Sequence, residues 1–133
     1  MDEKKTVRII VVDDSDTLRS RLISMLTENP AVQIVGEGRD GSEALALTEK
    51  HEADLVILDV RMPVQSGIEV LTEIKNREPS PVVVMLTNFP YKEYREKCLQ
   101  LGADHFFDKS TEFDKIPELI EKLLKNQASN GAH

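Results

Sequence analysis

The chain has 133 residues, enough for one domain around one hydrophobic core and too few for two. Its 24 Asp and Glu outnumber 17 Lys and Arg, and the resulting net charge of −7 argues against direct binding to nucleic acid or an anionic membrane. No apolar run approaches the roughly 18 residues of a membrane span, and Met1–Lys5 is too charged for a signal peptide.

Short apolar runs and helical stripes alternate from one end to the other. Val7–Val12 is a continuous run without alternation, the pattern of a strand buried on both faces of a parallel sheet. Leu18, Leu22, Met25 and Leu26 then share one helical face, which Asn29-Pro30 closes. Val32–Val35 alternates more and reads as an edge strand. Gly41-Ser42 opens a second helix, striped by Ala44, Leu47 and Thr48. Leu55–Leu58 is a third strand, followed by a helix carrying Ile68, Leu71 and Ile74.

Pro79 and Pro81 bracket the entry to a fourth strand, Val82–Leu86. Pro90 suits the first turn of a fourth helix, whose stripe is Tyr94, Cys98 and Leu101 and whose stop is Gly102. The single cysteine, Cys98, therefore reads as a small core residue, and without an internal disulfide partner it fits a reducing cytoplasm. Ala103–Phe107 is the second edge strand. A last helix starting near Asp114 keeps Pro117 in its first turn and buries Ile116, Leu119 and Leu123. The domain is assigned to residues 1–126, with 127–133 as a flexible tail. Five strands alternating with five helices call for a parallel α/β sheet with helices on both faces.

In such sheets ligands bind beyond the carboxyl ends of the strands. The residues there are Asp13-Asp14, Asp59, Thr87 and Lys109. Carboxylates gathered in one crevice repel by about 4 kcal/mol per pair at 4 Å and an effective dielectric of 20. A hard cation relieves that repulsion, and an all-oxygen donor set suits Mg²⁺. With a lysine and a hydroxyl beside it, Asp59 becomes a candidate nucleophile toward a phosphoryl group, because phosphoryl transfer depends on positioning and charge neutralisation. Each residue has a plainer reading alone: Asp13-Asp14 as a turn and helix cap, Thr87 as a cap, Lys109 as a solvated charge. Their joint placement at four strand ends favours a site.

The pieces Val11-Val12-Asp13-Asp14-Ser15, Leu58-Asp59-Val60-Arg61-Met62-Pro63 with Gly67, Met85-Leu86-Thr87, Gly102-Ala103-Asp104 and Asp108-Lys109 resemble the response-regulator receiver family of two-component signalling. The likeness covers roughly residues 6–126 and is of the single-domain, chemotaxis-regulator type. It implies a flavodoxin-like, doubly wound sheet of order 2-1-3-4-5. It also implies that Asp59 accepts phosphate from a sensor histidine kinase or phosphotransfer protein, with Mg²⁺ held by Asp13, Asp14, Asp59 and the Arg61 carbonyl. Thr87 and Lys109 would contact the phosphoryl group, and Phe106 would swing inward with Thr87 on activation. A downstream protein would dock on the face of the fourth and fifth helices and the last strand. The chain would lose its own phosphate slowly and would not be a turnover enzyme.

Three positions depart from the family pattern. Ser110 stands where the family has a proline after a cis bond, and a cis bond before a non-proline residue costs about 2.5–4 kcal/mol, leaving that turn's geometry open. Asn88 is bulkier than the usual small residue, and Phe106 lacks the more usual tyrosine's hydroxyl. These departures support an alternative, a receiver-like interaction module that works without phosphorylation. An aspartyl-phosphate phosphatase of the haloacid dehalogenase type needs Asp-x-Asp-x-Thr, and Asp14-Ser15-Asp16-Thr17 is one residue short. Arg61 and Phe89 flank the site and are expected to tune phosphate lifetime.

Overall fold

The computed structural model describes residues 6–62 and 65–131, with side chains through Asn126. The inner apolar runs and the two edge segments became strands: β1 (Val7–Val12), β2 (Val32–Gly38), β3 (Leu55–Leu58), β4 (Val82–Thr87) and β5 (His105–Asp108). Between and after them lie α1 (Asp16–Leu26), α2 (Gly41–Lys50), α3 (Gly67–Lys75), α4 (Lys92–Gln100) and α5 (Lys115–Gly131). All pairings are parallel and the order is β2-β1-β3-β4-β5, the doubly wound, flavodoxin-like arrangement expected.

Alternate strand residues supply two cores. Ile10, Val12, Val56, Leu58, Val83 and Met85 face α2, α3 and α4, meeting Ala44, Val70, Leu71, Ile74 and Cys98. Val7, Ile9, Val11, Ile57, Val84 and Leu86 face α1 and α5, meeting Leu22, Leu26, Ile116 and Ile120. From Ile9 onward both faces of the inner strands are dry, and after Arg8 near the start of β1 nothing polar interrupts them until the carboxyl edge. Cys98 is fully buried and its thiol is pushed up to about 11 by burial, as a core cysteine requires.

Element ends moved where local hydrogen bonding decides. α1 stops at Leu26, ahead of Asn29-Pro30, because the Thr27 hydroxyl donates to the Ile23 carbonyl at 2.7 Å and its N–H closes on the same group. Asn29 instead accepts from the Ala31 N–H at 2.9 Å and shapes the turn into β2. Pro90 lies before α4, outside its first turn: Tyr91 is the N-cap and makes no side-chain cap bond. β5 starts at His105, two residues later than expected, because Gly102 takes φ +105° and the Ala103 N–H is spent on the Cys98 carbonyl. α5 continues as helix to Gly131 through most of the segment assigned to a tail, while residues 132–133 and Met1–Lys5 lie outside the described residues. Among the described residues no helix is long and apolar enough to cross a membrane.

Candidate phosphoacceptor site

Register places the polar residues at one rim. Leu58, the last residue of β3, pairs with Val12 of β1 and Met85 of β4, and Thr87 of β4 pairs with Asp108. The backbone ladder runs one residue past the strands: Asp13 donates to Gly38, Asp59 to Val12 and Lys109 to Thr87, at 3.1, 3.3 and 2.8 Å. The side chains just beyond the apolar runs therefore emerge at fixed heights on neighbouring strands.

One carboxylate oxygen from each of Asp13, Asp14 and Asp59 lies within 4.8 Å of the others. Asp13 and Asp59 are buried and Asp14 is exposed, so the cluster opens to solvent on one side. The Lys109 ammonium closes it from the other, 2.6 Å from Asp13 Oδ2 and 2.8 Å from Asp59 Oδ2. Asp13 Oδ1 accepts from the Ser15 N–H at 2.9 Å, and Asp59 Oδ1 from the Arg61 N–H at 3.2 Å. Burial raises the Asp59 carboxyl above its ordinary value, with Lys109 opposing and Asp13 reinforcing the shift. Burial also acts to lower Lys109, but its bonds to Asp13 and Asp59 outweigh this, and the net shift is upward. The oxygen donors, all carboxylate and partly solvated, are those a hard divalent cation takes.

Thr87 is fully buried, and its hydroxyl accepts from the Phe89 N–H at 3.0 Å. Among the described residues this hydroxyl makes no bond to Asp59 or Lys109; Thr87 meets Lys109 through its backbone carbonyl alone. The Phe106 ring already lies inside, in the core with Cys98 and Ala103, and its carbonyl accepts from Arg95 Nη1 at 3.3 Å. The Arg61 guanidinium sits 4.4 Å from the Phe89 ring centroid, so these two flanking side chains form one cation–π pair beside Asp59. Pro63, part of the motif, lies outside the described residues.

After Lys109 the chain turns without the family proline. Asp108 accepts from both the Ser110 N–H (2.9 Å) and hydroxyl (2.7 Å), and these bonds lower its carboxyl below the ordinary value. Among the described residues the single cis peptide bond precedes Pro79, so the Lys109–Ser110 bond is trans. His51 ends α2, and His105 stacks on Phe107 at 5.7 Å; neither reaches the acidic cluster, and His133 lies outside the described residues.

Two structural supports have a readable cause. A Cβ at Gly67 would overlap the Asp59 carbonyl oxygen, so only glycine lets α3 start against the turn after Asp59, where its N–H donates to the Val60 carbonyl at 2.9 Å. Gly67→Ala is expected to lose about 3 kcal/mol, the upper end for forced overpacking, because backbone rather than a flexible side chain must yield. That is about 10 °C in the thermal midpoint of a domain this size, and an unchanged midpoint would refute the contact. The second support, Arg19 of α1, was missed from sequence. It lies on the same rows as Leu22 and Leu26, at i, i+3 and i+7, and is 8% exposed. A lone charge inside an apolar stripe was the available signal.

The chain is similar in sequence and fold to known proteins. Residues 9–121 match the response regulator receiver domain family. The chain is similar to a protein-glutamate methylesterase/protein-glutamine glutaminase of Alkalilimnicola ehrlichii, 39% identical over 95% of this chain and 34% of that protein. It is similar also to response regulator protein VraR of Staphylococcus aureus, 30% identical over 92% of this chain and 59% of that protein. It thus spans between about a third and three fifths of those relatives' lengths. The receiver domain of NarL from Mycobacterium tuberculosis superposes with a TM-score of 0.83 at 29% identity, covering 90% of this chain and 97% of that one. The response regulator domain of Thermotoga maritima CheB gives 0.78 at 26% identity, covering 91% and 95%. This chain belongs to the response regulator receiver domain family.

Proposed function

We propose that the chain is a phosphorylation-driven signalling switch in which Asp59 accepts a phosphoryl group from the phosphohistidine of a sensor kinase or phosphotransfer protein. The observation that carries this reading is the Lys109 ammonium, bonded at once to Asp13 (2.6 Å) and Asp59 (2.8 Å) in a cluster completed by Asp14. The donor's N–P bond breaks, an O–P bond forms to the Asp59 carboxylate, and the departing imidazole takes a proton from solvent. Lys109 holds the acceptor and meets a phosphoryl oxygen as charge moves onto it. Asp13, Asp14, Asp59 and the Arg61 carbonyl would hold Mg²⁺, which when bound neutralises the oxygens of the transferring group. Water later cleaves the acyl phosphate and restores the carboxylate, so the protein consumes only its own phosphate and is not a turnover enzyme.

Thr87 is the reporter. Its hydroxyl can leave the Phe89 N–H for the new phosphoryl oxygens, which alters the loop leading into α4, while Phe106 is already packed inward. Output then passes through α4, β5 and α5 to a downstream protein. The two large apolar side chains exposed among the described residues, Tyr91 (55%) and Leu99 (42%), are on or beside α4. The acidic balance disfavours nucleic acid and membrane as direct partners and suits a cytoplasmic domain.

Incubation of the pure chain with a small phosphodonor and MgCl₂ is expected to add the mass of one phosphoryl group, located on Asp59 by peptide mapping. No gain, with a cognate kinase also supplied, would leave a receiver-like interaction module that works without phosphate. Rapid hydrolysis of a phosphomonoester would instead make the protein an enzyme.

A further inference from the structure

Arg19 is a buried charge on the core side of α1, which carries a desolvation cost that its contacts must offset. Its guanidinium reaches three segments. Nη1 donates to the Asp13 carbonyl at 2.8 Å, Nη2 to Asp16 Oδ1 at 2.6 Å, and Nε to Glu37 Oε1 at 3.3 Å near the end of β2. Arg39 Nε reaches the same Asp16 oxygen at 3.5 Å and steadies that arm from outside.

The group Arg19 holds most deeply is the main chain of the first acidic residue. The Asp13 N–H is fixed by Gly38, and its carbonyl is fixed by Arg19. With both backbone groups pinned, the Asp13 side chain stands against Lys109 and the next residue, Asp14, projects to the solvent side of the cluster. We infer that Arg19 is a positioning residue for divalent-cation binding, acting through the Asp13 backbone to set the Asp13 and Asp14 carboxylates. This rests on the cation-dependent reading of the site given above.

A planar fork with five donors can satisfy acceptors on three segments at once, whereas a lysine ammonium is a point charge on a flexible stem. The positive charge itself works against a cation, although Asp16 and Glu37 offset it. Position and charge therefore predict opposite signs. Loss of the charge alone would tighten Mg²⁺; loss of the position weakens it.

Titration calorimetry with MgCl₂ on the full chain reads this directly. If the wild-type chain takes up no Mg²⁺, the reading of the site fails, whatever Arg19 does. If it does bind, Arg19→Met is expected to weaken the affinity about 10-fold, the size seen when groups that orient metal ligands are removed. Arg19→Lys keeps the charge and loses the fork, so it is expected to weaken binding severalfold, and it carries the test if Arg19→Met does not fold. Wild-type or tighter affinity in a folded Arg19→Met, or unchanged affinity in Arg19→Lys, overturns the inference.

Discussion

Asp59→Asn is expected to abolish phosphoryl uptake while leaving the chain folded and slightly more stable in chelator. Asparagine keeps the side chain's shape and can still accept from the Arg61 N–H, now 3.2 Å from Oδ1, but it has no carboxylate to form an acyl phosphate. Burial raises the folded carboxyl of Asp59 despite Lys109, so its ionised form is disfavoured on balance in the fold. Removing that charge spares the cost, and Lys109 retains Asp13 at 2.6 Å. A gain of about 1 kcal/mol, or about 3–5 °C, is expected at neutral pH without metal.

The pH dependence follows from the sign of the shift. A carboxyl raised in the fold costs stability in full above its folded value, and costs nothing below the unfolded value near 3.8, where it is protonated in both states. The advantage of Asp59→Asn should therefore shrink as pH falls through the raised value and vanish below the ordinary one. Thermal melts of both proteins in EDTA across that range test it. A variant that unfolds at neutral pH would show that Asp59 serves the fold.

How much of this was legible depended on where tertiary structure intervened. Three inner positions of the candidate site were plain because a parallel sheet dry on both faces favours apolar runs up to its rim. The first polar residue after Val12, Leu58 and Leu86 then marks the carboxyl rim, and Asp13, Asp59 and Thr87 are those residues. Strand order came from the family likeness; alternation alone gives only a parallel sheet. Element ends were less legible because a threonine hydroxyl at Thr27 and a spent N–H at Ala103 ended or delayed elements ahead of louder signals from proline and glycine. The turn after Lys109 could not be read from its missing proline, since its replacement is a pair of hydrogen bonds from Ser110 to Asp108. Arg19 was hidden because its three acceptors come from the turn after β1, from α1 and from β2, and only the fold brings them together.

Lys109→Met should produce a large loss of stability and a strong dependence on Mg²⁺. The ammonium is 6% exposed and is the cation bonded to Asp13 and Asp59, whose side chains are 4% and 8% exposed. Methionine fills much the same space but leaves two buried carboxylates facing each other and Asp14. Removing one partner of a buried ion pair costs about 3–5 kcal/mol, and partial protonation of the carboxylates should hold the loss near the lower figure, about 10 °C in chelator at neutral pH. In the wild type, the folded Lys109 value is raised, so its contribution is complete below the ordinary 10.5 and is lost only as pH climbs through the raised one. The deficit of the variant should accordingly persist across neutral and mildly alkaline pH and narrow in acid, where the stranded carboxylates take up protons.

Mg²⁺ added at 100 times its dissociation constant stabilises a folded state by about 2.7 kcal/mol. The variant should recover more than the wild type gains at equal concentration, because in the wild type the cation must compete with Lys109 for Asp13 Oδ2 and Asp59 Oδ2. Melts in EDTA and in MgCl₂ separate the two contributions. Equal midpoints for wild type and variant in EDTA would mean that the three carboxylates do not need a cation to share one rim of the sheet. The electrostatic account of the site would then fail at its first step, before any phosphoryl group is involved.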